Sequence, residues 1–166
     1  MAIQISFTGV LRLAILALVA PVASAFATSK PDAASVSQVL QEVKAHAAEA
    51  NYDADYLDSL VRSHPDWQSY SRRIHHIREH ANDLFHDNSR LLKIADKATP
   101  QQREAIKRLQ PMMREMADSL TKAIQMLNED QRRVNMPEFT SQIHSTCKNV
   151  DKLYQELCKC TGKNAA

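Results

Sequence analysis

Apolar positions recur along this chain at alternating steps of three and four residues, in four separate rows. The first row runs Val36, Leu40, Val43, Ala47, Ala50, Ala54, Leu57 and Val61. The second runs Tyr70, Ile74, Ile77, Ala81, Leu84, Asn88, Leu91, Ala95 and Ala98. Ile106, Leu109, Met113, Met116, Leu120, Ala123 and Leu127 form the third, and Ile143, Cys147, Val150, Tyr154 and Leu157 the fourth. A 3.5-residue period belongs to helices packed side by side at shallow angles. Between the rows stand Pro31, Pro65, Pro100 and Pro137, spaced 34, 35 and 37 residues apart. Proline is tolerated in the first turn of a helix, where its missing N–H has no intrahelical partner to lose. Thr99-Pro100-Gln101-Gln102 reads as a capping box, and Asn135-Met136-Pro137-Glu138 follows the same logic. Ser63-His64-Pro65-Asp66 and Ser29-Lys30-Pro31-Asp32 are looser versions.

One helix with one apolar stripe cannot hide that stripe, whereas four joined by short turns can hide one another's. The pattern therefore predicts an all-α fold: an antiparallel up-down-up-down four-helix bundle over residues 32–160, with a short linker at 26–31 and a tail at 161–166. Pro111 falls inside the third helix and is expected to bend it near Arg108–Pro111. Asn51-Tyr52-Asp53 forms helix poorly, but the first row passes through it in phase. Asn88 lands on the second row, where a polar residue sets register in a bundle.

The first 25 residues carry a different pattern. Arg12 precedes an apolar stretch from Leu13 to Ala20, then Pro21, then Ala23-Ser24-Ala25 with small residues where a signal peptidase requires them. This is the layout of a secretory signal peptide spanning 1–25, with a second cut available after Ala27. The stretch is short for a membrane-spanning helix, which needs roughly 20 apolar residues. Cleavage would leave a periplasmic or secreted chain without a membrane span.

Composition narrows the chemistry. The 166 residues carry 21 Lys and Arg against 19 Asp and Glu, a net charge of +2, which argues against nucleic acid as a partner held by bulk electrostatics. Only Gly9 and Gly162 are glycine. Phosphate-cradling loops, dinucleotide turns and nucleophile elbows all need glycine for close backbone approach or positive φ, so the sequence excludes them. No catalytic set emerges, and no cofactor is expected.

Three groups of residues have metal-binding side chains. His76 and His80 are four apart and share a helix face, with His75, Glu79 and His86 nearby. That face lies beside the apolar row, which reads as a solvated surface. Met112, Met113 and Met116 follow Pro111, and thioethers suit Cu(I), but Met113 and Met116 lie on the apolar row, where methionine fills gaps. Cys147, Cys158 and Cys160 are an odd number of thiols for an oxidising compartment. Cys147 reads as a buried small hydrophobe. Cys147 and Cys158 are separated by about 16 Å of helix, too far for a disulfide. Cys160 is the candidate for a bridge between two chains. His76, His80, Met112, Met116 and Cys158 are thus the residues a soft-metal site would draw on, although a solvated face explains the histidines and core packing the methionines, and Cys158 could instead pair with Cys160 or bridge two chains.

Two resemblances follow from short motifs. Trp67-Gln68, the run Pro100-Gln101-Gln102-Arg103-Glu104-Ala105-Ile106, and Met116-Ala117 followed by Ala123-Ile124-Gln125-Met126-Leu127-Asn128 are similar to uncharacterised exported helical proteins of bacteria. That resemblance implies export and a helical fold. Ala98-Thr99-Pro100-Gln101-Gln102-Arg103, and more loosely Leu127-Asn128-Glu129-Asp130-Gln131, resemble the Leu-Thr-x-x-Gln motif of Spy/CpxP-type periplasmic chaperones. The first lacks the leucine and the second the threonine. That resemblance implies a cradle that shields unfolded clients. The residues themselves point to an exported non-enzymatic bundle that binds a protein or envelope component, with a homodimer as one arrangement. The chaperone and a copper-binding protein are the alternatives.

Overall fold

The computed structural model describes residues 35–162, and these are helical almost throughout. Four long helices make up most of the described residues: α1 (Val36–Ser63), α2 (Trp67–Lys93), α3 (Pro100–Glu129) and α4 (Pro137–Gly162). A 3-10 turn at Ala95–Lys97 leads into α3, and another at Gln131–Arg133 leads into α4. The signal peptide, the linker and the Pro31 start signal lie outside the described residues. Within the described residues the helices run from Val36 to Gly162, so α4 continues two residues past the expected limit at 160.

Local chemistry explains the boundaries from the start of α1 to the start of α3. Ser35 caps α1, its hydroxyl accepting from the Gln38 amide at 3.1 Å. α1 ends on His64, which adopts the left-handed conformation (φ 51°) that glycine normally fills. Asp66, not Ser63, caps α2, with its carboxylate accepting from the Ser69 amide at 2.8 Å. These bonds hold the Asp66 carboxyl below its ordinary value. The capping box at Thr99 and Gln102 forms as the sequence predicts. α2 stops at Lys93 and does not continue through Ala95 and Ala98. Ile94 turns its amide to the Leu91 carbonyl, and the chain leaves the helix before Pro100, whose ring disfavours helical geometry at the residue before it. α3 is continuous through Pro111, which faces solvent.

The helices form a bundle around one apolar cluster. α1 packs against α2 and α4, and α3 against α4 and, least extensively, α2. Tyr70, Phe139, Leu57, Ile77, Leu84, Met113, Met116 and Ile143 are among the largest fully buried side chains. Tyr70 and Phe139 meet edge to face at a centroid distance of 5.2 Å. Asn88 is buried, as its place in the row requires, and exchanges amide hydrogen bonds with Gln110 across α2 and α3.

The fourth row needs correction. The buried positions of α4 are Phe139, Ile143, Thr146, Val150, Leu153 and Leu157, together with Thr161 at its end. Cys147 and Tyr154 are half-buried at the edge of that seam. Thr146 holds an interior position because its hydroxyl donates to the Ser119 carbonyl (3.1 Å) and the Gln142 carbonyl (3.0 Å), which removes the cost of burying it.

Candidate functional site

A second row of residues runs beside the apolar row on each of the first two helices. On α1 it is Glu42, His46, Glu49 and Asp53; on α2 it is Arg73, His76, His80, Asp87 and Arg90. The steps are again mostly threes and fours, so both rows flank the seam between α1 and α2. As α1 advances from Glu42 through His46 to Asp53, its partners on α2 retreat from Arg90 through Asp87 to Arg73.

Two buried carboxylates anchor this arrangement. Asp53 on α1 is 5% exposed, and its Oδ1 accepts from the Arg73 guanidinium. Its Oδ2 lies 3.3 Å from His80 Nε2 and 3.8 Å from His76 Nδ1. His80 also reaches Glu49 through Nδ1 at 3.3 Å. The Arg73 guanidinium carbon sits 4.1 Å from the centre of the Tyr56 ring, a cation–π contact. Further along the seam, Asp87 on α2 is 3% exposed. It accepts from Arg90 at 2.8 Å and meets His46 at 2.9 Å, while Arg90 also pairs with Glu42. Those two carboxylates hold the Arg90 guanidinium above its ordinary value, Asp87 contributing most.

Asp53 and Asp87 are interior, and the seam corrects one sequence reading, that of a solvated histidine face. His76 and His80 are not freely solvated, because both address Asp53 from the neighbouring helix. The signal was available in the sequence as a polar row with the same 3–4 spacing as the apolar one, a pattern that places charges at the flanks of a helix pair.

The other candidates are not gathered here. Met116 is fully buried and Met112 half-buried, both on α3. Cys158 on α4 is half-buried; its hydrogen bond with Tyr154 raises the tyrosine's pKa above its ordinary value. Among the described residues, no three His, Cys, Asp or Glu side chains are arranged to hold a metal ion. Cys147 donates to the Ala54 carbonyl at 3.2 Å, and burial pushes its thiol up to about 12, so it stays protonated near neutrality.

A cleft of about 900 Å³ opens where the start of α1, the start of α3 and the end of α4 meet. Leu40, Pro100 and Ala105 supply its apolar lining, and Ser37, Gln102, Arg108, Glu156, Lys159 and Cys160 are among its polar lining. Arg108 Nε donates to Glu156 at 2.7 Å, and this bond chiefly holds the Glu156 carboxyl below its ordinary value. Cys160 Sγ lies 3.8 Å from the Arg108 guanidinium and 3.7 Å from Glu156 Oε1. Burial is the main cause that raises its thiol pKa. A bridge between chains would draw Cys160 out of this wall.

Among the described residues, no helix is long and apolar enough to cross a membrane. Comparison with known proteins returned no family model, no curated protein and no solved structure that matches the chain.

Proposed function

We propose that this chain is an exported, non-enzymatic helical-bundle protein that works by binding a protein or polymer of the periplasm or cell envelope. Its four helices run up-down-up-down, each antiparallel to its neighbours in the chain. The order of partners supports that arrangement on three seams: Glu42 to Asp53 against Arg90 to Arg73, Asp58 and Ala54 against His144 and Cys147, and Arg108 to Ser119 against Glu156 to Gln142. Export rests on Arg12, the Leu13–Ala20 stretch and Ala23-Ser24-Ala25.

The observation that carries the binding role is the closed apolar core. The four rows bury one another, so recognition falls to the polar exterior. This also weighs against a client-shielding cradle. The large apolar side chains exposed among the described residues are Tyr52, Tyr56, Leu92 and Met136, spread over three parts of the fold rather than lining one concave face.

Expression of the full chain with a C-terminal tag in a Gram-negative host tests the reading. The expected result is a processed protein in the periplasmic fraction with its N-terminus at Phe26 or Thr28, which crosslinks to a defined envelope neighbour. An unprocessed chain retained in the cytoplasm would overturn export. A processed chain with no crosslinked neighbour would overturn the binding role.

A further inference from the structure

The polar exterior contains one strip whose side chains are aromatic and acidic. Glu49, Tyr52, Asp55 and Tyr56 are all exposed on the outer side of α1. Tyr52 is 71% and Tyr56 47% exposed, high values for rings of this size. Glu49 precedes Tyr52 by three residues and Asp55 follows it by three, so the two carboxylates flank the ring as neighbours on the helix surface. Tyr56 lies one turn beyond Tyr52 on the same side.

The molecule already shows what this strip attracts. Arg73 lays its guanidinium over the Tyr56 ring while a carboxylate one turn back, Asp53, holds its charge. Tyr52 repeats both elements, an open aromatic face and adjacent carboxylates, with no cation from the chain placed over it among the described residues. A tyrosine face attracts cations through its quadrupole, and Tyr loses little side-chain entropy when it becomes an anchor. Arg73 is itself tied to Asp53, so Tyr56 is held in place before any partner arrives, which lowers the cost of ordering on binding.

We propose that this strip of α1 is a docking site for a basic polypeptide segment, with a Lys or Arg side chain of the partner lying over Tyr52 between Glu49 and Asp55. The charge of the strip selects that partner: the groups flanking Tyr52 are carboxylates, of which Glu49 also meets His80, and the Tyr52 face is electron-rich, so an acidic segment is repelled and an apolar one leaves Asp55 unpaired. The proposal deepens the binding role above by naming the chemistry of the partner. Its test needs neither export nor the natural partner, so the two can fail separately.

Tetralysine and tetraglutamate peptides are titrated into residues 26–166 at low salt, followed by calorimetry and by NMR shifts of the tyrosine rings. Tetralysine is expected to bind and to shift Tyr52 and Tyr56, with affinity falling as salt is added; tetraglutamate is expected not to bind. Tyr52→Leu with Tyr56→Leu should weaken tetralysine binding about tenfold, whereas Tyr52→Phe with Tyr56→Phe, which keeps the rings, should retain it. Glu49→Gln with Asp55→Asn should also weaken it. All these positions are exposed, and an unchanged helical spectrum will verify that each variant folds. No binding of tetralysine at millimolar concentration overturns the proposal, as does binding that is indifferent to the tyrosine or carboxylate substitutions, or equal binding of both peptides.

Discussion

The seam between α1 and α2 and the seam between α3 and α4 join helices of similar length by different chemistry. The first is flanked by charge: Asp53 and Asp87 are interior, and each is matched by an arginine and a histidine. The second is uncharged along its centre. There Met113, Met116, Leu120 and Ala123 of α3 and Ile143, Val150 and Leu153 of α4 belong to the apolar core, and the polar bonds run from side chains to backbone, with the Arg108–Glu156 pair set toward one end. The Ser119 carbonyl accepts from Gln142 Nε2 at 2.8 Å and from Thr146, and the Glu115 carbonyl accepts from Asn149 at 3.3 Å. The difference teaches how each seam fixes its register. Charge pairs are strongly position-dependent, since removing one partner leaves the other buried and uncompensated. Bonds to backbone carbonyls need small neighbours such as Ser119 and Thr146 that let the helices approach. Each is individually worth less.

Substitutions that probe the two seams should therefore differ in size. The largest effect is expected from Arg73→Met, which takes the arginine from the buried Asp53 and leaves it only His80 and His76 as partners; it should cost about 3 kcal/mol, read as the change in urea unfolding free energy. Adding Asp53→Leu to that variant should recover most of the loss, because a charge-free pair has nothing left to compensate. A double variant as unstable as the single one would show that the charges are not what the α1/α2 seam depends on.

On the other seam, Thr146→Val removes the hydroxyl but leaves the Ser119 carbonyl its bond from Gln142. The expected cost is about 1 kcal/mol, measured the same way. A loss as large as that of Arg73→Met would erase the distinction between the seams.

A third variant reports on pH. Arg108 holds the Glu156 carboxyl below its ordinary value, so the folded state keeps Glu156 ionised more readily than the unfolded state does. The resulting stability is fully present above the ordinary glutamate range and is lost as pH falls through the depressed folded value. Arg108→Gln should remove that contribution. Its unfolding midpoint should lie below the parent's at pH 7 and converge on it at strongly acidic pH. A constant difference across that range would contradict the assignment.

The smallest effect is expected at Tyr70. Its hydroxyl is buried without a hydrogen-bond partner among the described residues, and burial raises its pKa. Tyr70→Phe should therefore be neutral or slightly stabilising, because it removes an unsatisfied polar group while keeping the edge-to-face contact with Phe139. A clear loss in thermal midpoint would reveal a bond to that hydroxyl.

Much of the helical body was legible in the chain. Three of the four apolar rows are buried largely as read, since a 3–4 repeat leaves one stripe per helix and each stripe must be covered. The Thr99–Gln102 capping box and the register residue Asn88 are equally local or periodic signals. The fourth row was misplaced by one step because Thr146 is polar by composition, and only the Ser119 carbonyl on another helix makes it an interior residue. The charged seam was legible as a pattern, but its consequence was not. Glu49 and Asp53 lie on one row of α1, yet one is 60% exposed and the other buried.

What the sequence determined by itself was the four helices of the described residues, their approximate limits and which face of the first three turns inward, because helix periodicity and capping act over a few residues. The tertiary structure alone decided which charges became interior and with whom they pair. That outcome depends on two rows from different helices meeting at one depth, and no local interaction encodes it. Asp53 meets Arg73, and Asp87 meets His46, because α1 and α2 come together in that register, and the two carboxylates are interior for the same reason.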